Sequence, residues 1–307
     1  MTDQTVLPVE AFAARLLSGS VKKSYDPVVD IDWDAPLDPE RMFLPPEVVS
    51  LYGTPMWDGM SDVQRRELSR QELANVLTVG LWFENVLNRI LLRELLTDDP
   101  TSNHAHYTLT EMGDECRHMV MFGRLISQIE ARPYRMRAPM RVVARALPSV
   151  LRGPMVWVGA LLGEEIFDAI QRKTLDDPEL QPVVSRVMRI HVAEEARHIS
   201  FARDSLTRDI GDLSLAQRAY VQTFVALAAP IFLWLLTNPA VYRRVGLDAG
   251  EARSVALKNP HFRSTRQYGF ASLADFLDRN GLLGPAGRKS WRACGFMEAS
   301  EATGRVA

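Results

Sequence analysis

Two copies of one spacing constrain what this chain can fold into. The motif Glu-x-x-His occurs at residues 115–118 and again at 195–198, and in each case another glutamate, Glu84 or Glu164, stands 31 residues before the motif. About thirty residues let a chain run down one helix, turn, and return along the next helix to the same height. The repeat therefore predicts four helices that carry a Glu, a Glu/His pair, a Glu and a second Glu/His pair at one level.

The residue types at that level indicate a pair of metal ions. Each helical residue turns by about 100°, so the Glu and the His of one motif lie roughly 60° apart on one face. Four carboxylates and two imidazoles at one level of a bundle are the ligands of a di-iron or di-manganese carboxylate centre. Ordinary salt bridges are the alternative, and buried carboxylates on apolar helices disfavour it because they are costly without a compensating cation. The predicted ligands are Glu84, Glu115, His118, Glu164, Glu195 and His198.

A third histidine, His191, lies one turn before Glu195 and on the same helix face as the second motif. Its counterpart in the repeat is Glu111, one turn before the first motif. Taken by itself, a histidine at such a position is more often a hydrogen-bonded core residue than a ligand. Glu111 is expected to lie at the surface or outside the ligand set.

The helix signals predict an all-α, ferritin-like four-helix bundle over about residues 61–210, inside one domain that spans 1–307. Ser61-x-x-Gln64 is a capping box that starts the first helix. The predicted helices run over residues 61–96 and 101–129, then up to about 175 after a proline-rich crossover, and from Asp177-Pro178 to about 209. Two hairpins joined by one long connection are the ferritin-like topology.

The flanking segments are predicted to be accessory. Residues 1–60 are rich in Pro and Asp and are expected to form an irregular wrap around the bundle. Additional C-terminal helices start at Ser214-x-x-Gln217, whose helix contains the run VALAAPIFLWLL. Its length invites a membrane-spanning interpretation, but polar residues and Pro230 interrupt it, so a buried helix or a dimer contact is favoured. The tail from residue 259 onward is expected to close one end of the site.

Composition excludes several classes of protein. The net charge of -2 gives no electrostatic reason to expect nucleic acid as a partner. Two cysteines do not suggest a disulfide framework, which favours a reducing compartment. The first residues have no long apolar stretch of the kind found in a signal peptide. We therefore expect a cytoplasmic protein with no membrane partner, and a homodimer.

The ligand types also restrict the metal. Carboxylates bridge two metals and neutralise their charge, and imidazole suits iron. Two Fe(II) ions can share the electrons needed to bind and reduce O₂, which would be the co-substrate. Zinc is disfavoured because four carboxylates are too many for an ordinary tetrahedral site. Manganese stays open.

Two segments resemble one known family. DECRHMVMF (114–122) and HVAEEARHISFA (191–202) look like signature segments of the p-aminobenzoate N-oxygenases, ferritin-like non-haem di-iron enzymes that convert arylamines to nitro compounds through hydroxylamines. That family uses a seventh protein ligand, a His one turn before the final motif. The resemblance implies His191 as a ligand beside the other six. It also implies oxidation of an amine nitrogen through a peroxo di-iron species, with electrons from an external donor.

Other functions compete with this one. A di-iron hydroxylase or desaturase acting on carbon would use the same metal site with a different pocket. A ferroxidase or iron store is disfavoured by the length of the chain. Radical-generating subunits resemble this site but place a Tyr one turn after the first motif's His, where this sequence has Phe122.

Several charged residues near the motifs have two interpretations. Asp114 and Asp168 either orient a ligand imidazole or form ordinary salt bridges. Glu165 and Glu194 are turned about 100° away from their ligand neighbours. Residues 132–152 contain six arginines and no acid. They form either a solvated face or a dock for an acidic electron donor such as a ferredoxin.

Overall fold

The computed structural model describes residues 8–298, and its regular structure there is helical apart from one isolated bridge between Met42 and Leu180. The helices are α1 Val9–Lys22, α2 Pro55–Asp58, α3 Asp62–Glu94, α4 Asn103–Gln128, α5 Ala138–Val150, α6 Pro154–Thr174, α7 Pro182–Ile210, α8 Leu215–Leu236, α9 Pro239–Arg244, α10 Ala249–Lys258, α11 Pro260–Arg279 and α12 Gly284–Ala293, with a 3₁₀ turn at Pro46–Val48.

Four of these helices form the bundle that the spacing predicts. The hairpin of α3 and α4 packs against the hairpin of α6 and α7, with α3 against α6 and α4 against α7. The connection between the hairpins is long and contains α5, which lies on α3. The all-α, ferritin-like prediction is therefore confirmed.

The helix starts follow the local signals with one exception. Ser61 and Gln64 form the predicted capping box at the start of α3. The fourth bundle helix begins at Pro182 rather than at Asp177-Pro178, so that boundary was wrong. Asp177 closes a turn by accepting a hydrogen bond from the Glu179 amide, and the Gln181 amide donates to the Met42 carbonyl. These bonds hold the chain extended up to Gln181, and Pro182 then takes the first helical position, where a missing N–H costs nothing.

The core of the bundle is apolar at both ends and polar between them. One cluster of buried side chains contains Leu73 and Leu77 of α3 with Phe122 of α4. The other contains Leu87 of α3 and Leu161 of α6. Glu84 lies between the two clusters along α3. The predicted ligand level is thus a polar layer that both apolar clusters shield from water.

The N-terminal segment contains a helix that its composition did not indicate. Residues 23–54 are irregular apart from one short turn, as expected, but Val9–Lys22 is helical. Phe12 and Leu16 are buried where α1 packs against α4 and α7. One apolar face covered by two bundle helices is enough to stabilise a helix of this length.

Helix α8 lies mostly at the surface, which corrects the expectation of a buried helix. Its buried residues are Val221, Val225, Ala228 and Ala229, a single stripe, whereas Leu227 is 61% exposed. Within the described residues, the stretch Leu215–Arg244 has a mean hydropathy of 1.8 and is long and apolar enough to cross a membrane by length and composition, with 22% of the tested window buried. Core helices of soluble proteins pass the same criterion, so the dimer contact and the absence of a membrane partner stay predictions.

The segment from residue 259 onward was expected to close one end of the site, and the structure places it elsewhere. Helix α11 packs along α6, where Gly269 comes close to Ile170. Trp291 of α12 is fully buried and donates a hydrogen bond to the Val225 carbonyl of α8. This tail therefore supports the bundle from outside.

Candidate metal centre

The structure brings all seven predicted side chains together in the polar layer of the bundle. They are at most 4% exposed and form two adjoining groups, and within each group the ligand atoms lie within 4.8 Å of one another. The first group is Glu84, His118, His191 and Glu195, and the second is Glu115, Glu164, Glu195 and His198. Their role as ligands stays a prediction, and the geometry is that of two neighbouring metal positions.

Two glutamates connect the groups. Glu195 belongs to both. One carboxylate oxygen of Glu115 lies 2.8 Å from Nδ1 of His198, and its other oxygen lies 3.2 Å from Nδ1 of His118. A carboxylate that faces an imidazole of each group is placed to bridge two metal ions.

The two motif histidines are each held by the helix opposite. Nε2 of His118 lies 2.9 Å from Glu194 of α7, and Nε2 of His198 lies 3.2 Å from Asp114 of α4. When Nε2 donates to a carboxylate, Nδ1 keeps its lone pair for a metal. The residue before each motif glutamate thus orients the histidine of the other motif.

This arrangement settles the two interpretations of Asp114 and gives Glu194 a role that the sequence did not assign to it. Asp114 orients an imidazole and also pairs with Arg117 and Arg197. Burial alone would raise the pKa of Asp114, but the hydrogen bond from His198 and the charges of His198 and Arg117 outweigh it and lower that pKa. Glu194 does turn away from Glu195, but that direction points it at α4 rather than at solvent.

The third histidine is held in the same manner by a residue that the sequence did not single out. Nδ1 of His191 lies 2.8 Å from Oε1 of Gln171, so the ring N–H donates to the amide oxygen. Its Nε2 then faces Glu195 at 3.3 Å and Glu84 at 3.7 Å, without a hydrogen-bond partner. Burial lowers the pKa of His191 to about 4 and keeps the ring neutral. Gln171 lies two turns after Glu164 on the same face of α6, a spacing that could have identified it.

The unsatisfied atoms of the cluster fit bound cations. Six of the seven side chains have a buried nitrogen or oxygen without a hydrogen-bond partner, namely Glu84, Glu115, Glu164, His191, Glu195 and His198. Burial and repulsion from neighbouring carboxylates raise the pKa values of Glu84 and Glu164 well above the usual range. Such a cluster ionises fully only when cations compensate the charge. The donor set of carboxylates and imidazoles therefore fits two transition-metal ions.

Glu111 lies beside the cluster rather than at the surface. It is 1% exposed, and one of its oxygens has no hydrogen-bond partner. Burial, followed by the charges of Glu115 and Glu195, raises the pKa of Glu111 to about 8, although His198 opposes the shift. It belongs to neither group of ligand atoms, although the repeat makes it the counterpart of His191.

Other acids of the bundle helices are bonded to side chains outside the cluster. Asp168 pairs with Arg172 at 2.7 Å, and Glu165 pairs with Arg203. Glu72 accepts hydrogen bonds from Ser50. These contacts remove them from the set of candidate ligands.

The reciprocal orientation of the motif histidines predicts a loss of metal affinity in two variants. We expect Asp114→Ala and Glu194→Ala each to weaken iron binding by about 10- to 100-fold, because the freed imidazole loses its tautomer and its ring position. Glu165→Ala is the matched control, since Glu165 is also a buried acid next to a predicted ligand but bonds to an arginine. Competition with a chromogenic chelator measures the affinity, and equal affinities for all three variants would contradict the prediction.

An all-α bundle with four buried carboxylates and three oriented imidazoles in two adjoining groups defines the class of carboxylate-bridged di-metal proteins. The sequence model described as P-aminobenzoate N-oxygenase AurF matches residues 8–281, and the chain belongs to that oxygenase family. Two relatives are the uncharacterized protein Rv0885 of Mycobacterium tuberculosis and the uncharacterized protein Mb0909 of Mycobacterium bovis. Each is 30% identical to this chain over 291 residues, which cover 92% of this chain and 85% of the relative.

Proposed function

We propose that this protein is a non-haem di-iron monooxygenase that uses O₂ to oxidise an amine nitrogen, converting an arylamine to its hydroxylamine or nitro product. The observation that carries the proposal is the third imidazole. Gln171 holds His191 so that Nε2 faces Glu84 and Glu195, which supports a set of seven ligands instead of the six of generic bundles of this kind. Family membership supports the same reaction class.

The side chains of this chain would hold and shield the metals. Glu195, which both groups share, and Glu115, which faces an imidazole of each group, would hold two irons together with the other five predicted ligands. Iron bound there would pass electrons from the donor to O₂, and one oxygen atom of O₂ would be transferred to nitrogen. Phe83 and Phe122 line the small cavity of about 20 Å³ at the site, beside Glu84 and His191, and exclude bulk water from it.

The electrons would come from an external donor that binds the arginine-rich face. Arg132, Arg135, Arg137, Arg243 and Arg244 line an open cleft of about 590 Å³. In the described residues no acidic side chain forms an ion pair with any of these five. A surface of one charge sign accelerates docking of a partner of the opposite sign, so an acidic carrier such as a ferredoxin fits this cleft.

One observation favours a second function, oxidation at carbon. An apolar cavity of about 300 Å³ adjoins the site, and a hydrocarbon would fit it as well as the body of an amine would. A di-iron hydroxylase or desaturase could use the same ligands. Identification of the reaction product therefore distinguishes oxidation at nitrogen from oxidation at carbon.

The product of the reaction with labelled O₂ tests the proposal. Chemically reduced, iron-loaded protein should convert members of a panel of amines (p-aminobenzoate, aniline, 4-hexylaniline and octylamine) to hydroxylamino or nitro products that carry ¹⁸O from ¹⁸O₂. Glu195→Ala, which disrupts both groups of ligands, is the negative control. Hydroxylation or desaturation of hexylbenzene, with no N-oxidation anywhere in the panel, would replace the proposal by the carbon-oxidising alternative.

A further inference from the structure

An apolar cavity lies on the side of the bundle where α3, α5, α6 and α8 meet. Its volume is about 300 Å³, within the size range of small-molecule sites. The wall consists of aliphatic and aromatic side chains, among them Trp82, Leu147 and Phe224, and contains no charged side chain. Val143 of α5 and Leu227 of α8 also line it and are exposed, so the cavity is open to the surface along those two helices.

The cavity ends at the metal site. Phe83 and Phe167 line both this cavity and the small cavity that contains Glu84 and Glu164. Phe83 precedes Glu84 on α3, and its ring lies over Gly163, which precedes Glu164 on α6. A Cβ atom at residue 163 would come within 1.8 Å of Cζ of Phe83. The ring thus occupies the space that only a glycine leaves, and it separates the apolar cavity from the predicted ligands.

We propose that this cavity is the substrate chamber, that its substrate is an amine with an apolar, uncharged body, and that Phe83 is the movable partition through which the amine reaches the metals. The inference rests on the proposed oxidation of an amine and specifies its substrate class. A carboxylate on the substrate would find no cationic partner among the chamber side chains and would lose its hydration, which is costly. An alkyl or aryl body would instead exchange water for apolar contacts.

Calorimetry of the binding of a series of 4-alkylanilines to the iron-loaded protein tests the chamber. Affinity should rise about threefold to fourfold per methylene from 4-ethylaniline to 4-hexylaniline, the amount expected for a buried CH₂ group. The binding heat should show a negative heat-capacity change. p-Aminobenzoate should bind about a hundredfold more weakly than 4-hexylaniline, because its carboxylate is desolvated without a partner.

Two alanines of α5 give a matched pair of variants. Ala144 lines the chamber, whereas Ala146 is exposed and does not. Ala144→Trp fills part of the chamber and should lower the affinity for 4-hexylaniline at least about tenfold. Ala146→Trp should bind this compound with the affinity of the parent. Helical content and iron content show whether the variants fold. Should Ala144→Trp fail to fold, the pair of Val143→Trp, at the chamber rim, and Val142→Trp, outside it, makes the same comparison.

The outcomes separate this inference from the proposed function. Equal binding by the matched variants, or tighter binding of p-aminobenzoate than of 4-hexylaniline, would overturn the chamber assignment whatever reaction the enzyme catalyses. Binding with the expected pattern, but no N-oxidised product from any bound amine, would leave the chamber in place and overturn the proposed chemistry.

Discussion

Replacing Glu195 with Ala should remove at least one of the about two irons expected per chain. The reason is geometric, because Glu195 is the residue shared by both groups of ligand atoms. Glu115→Ala should have a similar effect, since its two oxygens face His118 and His198. Metal analysis after reconstitution with Fe(II) and removal of loosely bound iron measures the loss.

The fold should survive these substitutions. Each substitution changes one side chain of the polar layer and leaves the apolar clusters on both sides of it intact, so helical content should be unchanged. Glu72→Ala is the control, because Glu72 is bonded to Ser50 and lies outside both groups. One zinc per chain, unaffected by Glu115→Ala or Glu195→Ala, would contradict the di-iron assignment.

Replacing His191 with Ala should leave most of the iron in place and change the reaction with O₂. Six predicted ligands remain, so both metals keep carboxylate and imidazole donors. The lost nitrogen belongs to the first group of ligand atoms, so its removal would change the electron density on the iron held there. We expect the rate at which reduced protein reacts with O₂, followed by stopped-flow absorbance, to change about tenfold or more, the scale seen when the support of a ligand is removed.

A second variant separates ligation by His191 from its packing. Gln171→Leu preserves volume but removes the acceptor that holds the ring, and it should shift the O₂ reaction in the same direction as His191→Ala. His261→Ala, a histidine packed on Tyr52 away from the site, should react like the parent. Spectra and kinetics of His191→Ala identical to those of the parent would show that His191 is a core residue.

Much of the site followed from spacing alone. The 31-residue interval and the three-residue motif are local quantities, and helical geometry converts them into height and face without knowledge of the neighbours. For that reason Glu84 and His198, separated by more than a hundred residues, could be assigned to one level. The capping box at Ser61 could also be predicted from the local sequence, since its hydrogen bonds stay within one turn.

Only the tertiary structure decided which side chains hold the histidines and what lies behind the site. Asp114 bonds to His198 and Glu194 to His118 across two helices, which depends on how α4 and α7 are rotated and offset along their axes. A rotation of one residue position would separate these partners, and no local pattern encodes it. The contact of Phe83 with Gly163 has the same origin.

The flanking segments show where local composition misleads. Val9–Lys22 is a helix because two bundle helices cover its apolar face, although the Pro- and Asp-rich residues after it suggested an irregular segment. Helix α8 is apolar on nearly every side, yet only one stripe of it is buried. The sequence by itself therefore determined the bundle, the level of the ligands and their chemical type, because these depend on the period of one helix. The partners of those ligands and the exposed surfaces depended on packing between helices that are distant in the chain.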